Sequence, residues 1–174
     1  MKAVSEWIWI IGGVMVGLAI FSFAYTNMIE TNQVVIEQRS IEGFNEMKNI
    51  INNLCWSFSG NKRHYTLSLG ETVEGIYAAK DRYEEYTKEQ LMNKIISKER
   101  SEGEYICIKI QGKRLNCEKL DCKAVMPFMG SVPEEFSLSK LINRLTGTGS
   151  VSNYYLEFTR TPTNVTVDFS TAKT

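Results

Sequence analysis

Only one of the 174 residues is histidine, His64. A single imidazole excludes metal centres and proton relays assembled from several histidines. His64 stands in GNKRHYT beside Lys62 and Arg63 and reads as a surface residue on a loop or strand edge; the basic cluster Lys62–His64 reads as a solvated turn, with contact to lipid head groups or an acidic partner as the alternative. Neither sign of charge is in excess, with Lys plus Arg and Asp plus Glu at 20 each, so the balance gives no electrostatic case for nucleic acid, whose binding rests on clustered positive charge. No CxxC pair occurs, which removes a dithiol redox motif and a zinc knuckle. The glycine-containing GTGS (Gly147–Ser150) has no following lysine and cannot serve as a phosphate loop. Glu84/Glu85 and Glu134/Glu135 are adjacent in sequence, and adjacent side chains diverge on a helix or strand, so neither pair forms a shared acid–base site. No catalytic residue, metal ligand or cofactor is expected, and the chain reads as a non-enzyme.

What the sequence does contain begins at once. From Trp7 to Tyr25 no residue is charged. As a helix this run spans ~28 Å, close to the hydrocarbon thickness of a bilayer. Nine of its residues are Ile, Val, Leu or Phe, which together favour insertion by about 3–5 kcal/mol. The run exceeds a secretory h-region of roughly 7–15 residues, and the Thr26–Ile29 stretch after it is no small-x-small cleavage site. Residues 1–27 therefore read as a membrane anchor, with the lipid bilayer as first partner. Trp7, Trp9 and Tyr25 suit the two interfaces. Gly12, Gly13 and Gly17 lie mid-span, and Gly13/Gly17 make a small-xxx-small pair for close helix approach. Lys2 and the amino terminus favour an N-terminus in the cytoplasm and a body outside the cell.

No proline or glycine falls between Tyr25 and Gly43. Ile41, Phe44, Met47, Ile51 and Leu54 then form an apolar stripe at helical spacing. One helix is predicted from about Glu6 to Asn53, its second part (residues 28–59) amphipathic and in need of a surface to lie on. A long N-terminal helix, half in the membrane and half on a β-rich domain, resembles type IV pilins and their archaeal relatives. KAVS (Lys2–Ser5) is similar to an archaeal class III signal sequence, which implies a cut between Ala3 and Val4. Glu6 is similar to the acidic residue near the mature N-terminus that helps align neighbouring subunits. The implied leader is three residues long, and in bacterial pilins the acidic residue stands two positions further in.

Residues 60–174 read as an extracytoplasmic α+β domain. HYTLSLG alternates as a half-buried strand, Gly70 marks a turn, and TVEGIYAA is read as the returning strand. Thr87 with Gln90 is a capping-box pair before Leu91, Ile95 and Ile96. EYICIKIQGKRLNCE alternates through a hairpin at Gly112, and KAVMPFMG, with Pro127, suits an edge strand. Phe128 and Met129 form a contact patch if exposed and core packing if not. Ser137 and Gly147 bracket a second short helix, and SNYYLEFTR and NVTVDFS pair near Pro162. The expected fold is an antiparallel sheet with two short helices, the amphipathic part of the long helix packed on it.

Cys55, Cys107, Cys117 and Cys122 all follow the anchor, an even number that suits two disulfides in an oxidising compartment. Three pairings are open; the preferred arrangement ties Cys55 to the sheet and makes one further link within 107–122. Asn164-Val165-Thr166 is a glycosylation sequon. The sequence thus supports a single-pass, exported pilin-like subunit of a cell-surface filament or its assembly platform. It would self-associate, or bind a membrane partner, through Glu6, Gly12, Gly13 and Gly17. The alternative is a bitopic binding or accessory module of an envelope complex that does not polymerise.

Overall fold

The computed structural model describes residues 2–131 and 151–170; for 2–9 and 28–33 it describes the backbone alone. The order of elements is α1 (Lys2–Cys55), β1 (Lys62–Gly70), β2 (Val73–Ala79), α2 (Lys88–Ile96), β3 (Arg100–Ile110), β4 (Asn116–Pro127), β5 (Val151–Arg160) and β6 (Asn164–Phe169). This is an α+β fold with an N-terminal apolar helix. The second short helix expected between Ser137 and Gly147 lies outside the described residues, as does the tail 171–174.

The six strands form one sheet in the order β1-β5-β6-β4-β3-β2. Three features depart from the sequence reading. The sheet is mixed, because β4 pairs in parallel with β6 over Lys123–Val125, while its other pairings are antiparallel. β1 and β2 are not a hairpin: β1 pairs with β5, β2 with β3, and the two stand at opposite edges. KAVMPFMG is not an edge strand. Its first residues complete β4, an interior strand in which Pro127 comes last, beyond the pairing with β6.

The separation of β1 and β2 dictates the shape of the sheet. Laid flat, six strands put their edges ~24 Å apart. Only Glu71 and Thr72 join Gly70 to Val73, and that connection reaches about 11 Å at most. The sheet must therefore curl until its two edges meet at this corner. Tyr154 of β5 helps to close the curl, its hydroxyl bonding backbone groups of Gly130 beside β2.

Each face of the curled sheet carries a core. The larger cluster holds Ile76, Ile106, Ile108, Leu156 and Phe158 with Phe44, Met47, Ile51 and Leu54 of α1. With Ile41, half-buried against the same cluster, these are the stripe in the sequence, and Phe44, Met47 and Ile51 are wholly buried. On the other face, Tyr77, Cys107 and Phe128 enclose Leu91 of α2. Thr87 and Gln90 form the reciprocal capping box that starts α2. Phe128 and Met129 are buried, so PFMG is core and not a contact patch. Two glycines permit this geometry. Gly112 adopts φ 73° in the β3–β4 turn, and a Cβ on Gly103 would lie 1.8 Å from the Ala79 carbonyl oxygen.

Candidate functional site

The first feature with a functional bearing is the lower part of α1. Ile10–Asn27 is apolar, with a mean hydropathy of 1.6, and none of it is buried. It is long and apolar enough to cross a membrane; a signal sequence near an N-terminus meets the same measure. No other atoms come within contact distance of the positions that Cβ atoms would take on Gly12, Gly13 and Gly17. The backbone of Ala3, Val4 and Glu6 belongs to α1, and their side chains lie outside the described residues.

The upper end of α1 is held to β4 by an irregularity in the sheet. Between the pairs Gly103↔Ala124 and Tyr105↔Lys119, β3 passes one residue and β4 passes four, residues 120–123. The extra length carries Asp121 and Cys122 to the helix. Cys122 is disulfide-bonded to Cys55. The Asp121 amide donates to Asn52 Oδ1 at 3.0 Å, and the Trp56 indole N–H donates to Asp121 Oδ2 at 3.0 Å. Lys48 pairs with Glu118 at 2.7 Å. The second disulfide joins Cys107 to Cys117, directly opposed across β3 and β4. Together the two bonds account for all four cysteines. Disulfides of this kind persist in oxidising, extracellular-type compartments.

A cleft of about 570 Å³ lies between α1 and β1. Glu46, Ile50 and Asn53 line it from the helix and Lys62, Arg63 and His64 from the strand. The basic triplet is exposed, as expected, but it is not a turn; it opens β1. Lys62 Nζ bonds Glu157 Oε1 at 2.6 Å, and His64 Nε2 stands 3.9 Å from Glu157 Oε2. The hydrogen bond from Lys62 holds the Glu157 carboxyl below its usual range. Burial, aided by a hydrogen bond to Glu46, raises the Tyr65 phenol to about 12. Arg63 has no ion pair among the described residues. A second cleft, about 610 Å³, lies between the Arg82–Tyr83 loop and the β3–β4 turn at Lys113–Arg114.

Asn164 opens β6, half-buried, its carboxamide bonded to the hydroxyls of Thr161 and Thr166. Among the described residues no three His, Cys, Asp or Glu side chains gather as a metal site would require. The sequence reading missed the cleft because, although its lining all falls within residues 46–65, nothing local shows that β1 runs back beside α1. The only local signal was the run of basic residues that begins a strand. Comparison with protein-family models, curated proteins and solved structures finds no match.

Proposed function

We propose that this protein is a membrane-anchored, exported subunit, pilin-like in build, that associates with its own copies through the lower part of α1. Its β-rich head would be carried on the outer surface of the membrane. The observation that carries the reading is the division of α1. One uninterrupted helix is bare and apolar over Ile10–Asn27 and becomes part of a disulfide-tied core from Phe44 to Leu54.

The azimuth of the glycines supports the same contact. Gly13 and Gly17 lie about ten turns below Asn49 and Asn53 at ~3.6 residues per turn. Asn49 and Asn53 are exposed, on the side of α1 opposite Met47 and Ile51. The glycine face therefore points away from the head, and two copies can meet there without their heads colliding. A cysteine placed at Gly13 should cross-link two copies in native membranes, and one at Met15, on the opposite side, should not. Equal cross-linking at both positions, or at neither, counts against self-association.

A specific observation favours the second reading, an anchored accessory module. Above the bilayer the outward face of α1 is polar, running through Gln38, Glu42, Asn45, Asn49 and Asn53, each three or four residues after the one before. A filament shaft built from the whole length of the helix would need an apolar face there. Mass spectrometry of the native N-terminus separates the two readings: a start at Val4 goes with the exported subunit, and a start at Met1 with the accessory module.

A further inference from the structure

The two edges of the sheet are finished differently. Along β2 the chain closes the edge with its own backbone. Ile76 N–H donates to Met129 O at 2.6 Å, Met129 N–H to Ile76 O at 3.0 Å, and Ser131 N–H to Val73 O at 3.1 Å. Along β1 only one end is closed, where Gly70 N–H donates to Ser40 Oγ of α1 at 3.0 Å. From Lys62 to Thr66, β1 pairs with β5 on one side, and among the described residues no backbone pairs with it on the other.

The cleft beside α1 runs along this open stretch. Five consecutive residues, Asn61 to Tyr65, line it. Side chains of one strand alternate between faces, so a cleft that touches all five follows the edge of the strand. The edge is basic. Lys62 and His64 are 57% and 50% exposed and share one carboxylate, Glu157. Arg63 is exposed and has no ion pair among the described residues. Glu46, on the helix wall, sets a carboxylate in the same cleft as Tyr65.

We propose that the Lys62–Tyr65 edge of β1 is a docking site for an extended acidic segment of a partner protein, which adds as a further strand and sets carboxylates against Arg63 and Lys62. Main-chain bonds to an open edge supply affinity, and the charges beside it supply selectivity. A second copy of this chain is a poor occupant. Edge-to-edge pairing would bring two Lys62–His64 triplets together, and like charges on an edge oppose self-pairing. Lipid headgroups are out of reach. With Ile10–Asn27 in a bilayer, Asn53 stands ~39 Å of helix above Asn27, several times the Debye length of ~10 Å.

The test uses the full chain in uncharged detergent micelles and three ten-residue probes. These are an alternating Glu–Val peptide, its Lys–Val counterpart, and the Glu–Val peptide with alternate amides N-methylated. The Glu–Val peptide should bind and slow amide exchange over residues 62–66. The methylated and Lys–Val peptides should each bind at least tenfold more weakly. Arg63→Glu should weaken Glu–Val binding at least tenfold, and Arg63→Lys should retain it, with the same thermal unfolding in both variants. Equal binding of the methylated peptide would reduce the site to a charge patch and overturn strand addition. Protection elsewhere in the chain, or equal binding of the Lys–Val peptide, overturns the site or its chemistry. Protection of residues 62–66 that rises with protein concentration, without peptide, overturns the proposal in favour of a second copy.

Discussion

The lower and upper parts of α1 are one helix under two different demands. Between Ile10 and Asn27 every turn is apolar and none of the described residues covers it. Between Ser40 and Leu54 the apolar residues narrow to one stripe, buried among the strands, while Glu42, Asn45, Glu46, Asn49 and Asn53 face solvent. Backbone hydrogen bonding cannot distinguish these segments; their side chains do. The lower part matches a surrounding that is apolar in all directions, and the upper part matches one that is apolar on one side only.

Removing residues 1–27 is the strongest way to break this comparison. The remaining chain should be soluble without detergent, keep both disulfides and unfold cooperatively, while the full chain sediments with membranes; sedimentation and thermal unfolding of the two read the outcome. A truncated chain that still needs detergent would mean that the bare segment is not the sole apolar surface. Next in size is a pair of matched substitutions. Phe44 is fully buried and Phe21 is 70% exposed. Phe44→Ala should cost about 3–5 kcal/mol in the denaturant unfolding of the head. Phe21→Ala should leave that unfolding unchanged, because Phe21 touches none of the core.

The disulfides sharpen the comparison by a similar amount. Cys55–Cys122 closes a separation of 67 residues and Cys107–Cys117 one of 10. By chain entropy alone their loss costs about 4 and about 3 kcal/mol respectively. The Cys55→Ser/Cys122→Ser pair should also speed amide exchange over the last turns of α1, since those turns lose their tie to β4. The Cys107→Ser/Cys117→Ser pair should leave exchange there unchanged.

The local parts of this fold were legible in the residues. The stripe Ile41–Leu54, the Thr87–Gln90 cap, the Gly112 hairpin and the β5–β6 pair all rest on contacts within a few residues of chain, where periodicity and turn chemistry speak directly. What could not be read was which strand lies beside which. Gly70 looked like a hairpin turn because it separates two alternating runs, yet Ile36 and Ser40 crowd it from α1. The chain turns a corner of the sheet at that point and does not double back. The parallel pairing of β4 with β6, and the four-residue excursion of β4 that delivers Cys122, are long-range outcomes without a local mark. The cleft lies within residues 46–65; its basic wall was visible as KRH and its helical wall as the end of the long helix, but not that the two face each other along an open edge.

The smallest expected effect concerns pH, and it again divides the molecule. Glu99, Glu102 and Glu157 lie below the ordinary carboxylate range, chiefly through hydrogen bonds from Lys94, Lys123 and Lys62. A lowered folded value means that the stabilisation is present above about pH 4.3, the ordinary value, and is lost as pH falls through the folded values. Tyr65 and Tyr86 are raised to about 12, mainly by burial, with hydrogen bonds to Glu46 and Glu84 adding to it. Unfolded tyrosines release their protons near ~10, so this contribution is complete below that pH and disappears as pH rises through about 12. All five groups belong to the head, and none lies within Ile10–Asn27. In detergent, head stability should therefore form a plateau from roughly pH 4.3 to ~10, with modest losses on either side. Near pH 11.5 near-ultraviolet circular dichroism should report a loosened head, while the far-ultraviolet signal keeps the helix that the micelle shelters. Loss of both signals in one transition would mean that the two parts of α1 fold as one unit, and the division of the helix would have to be abandoned.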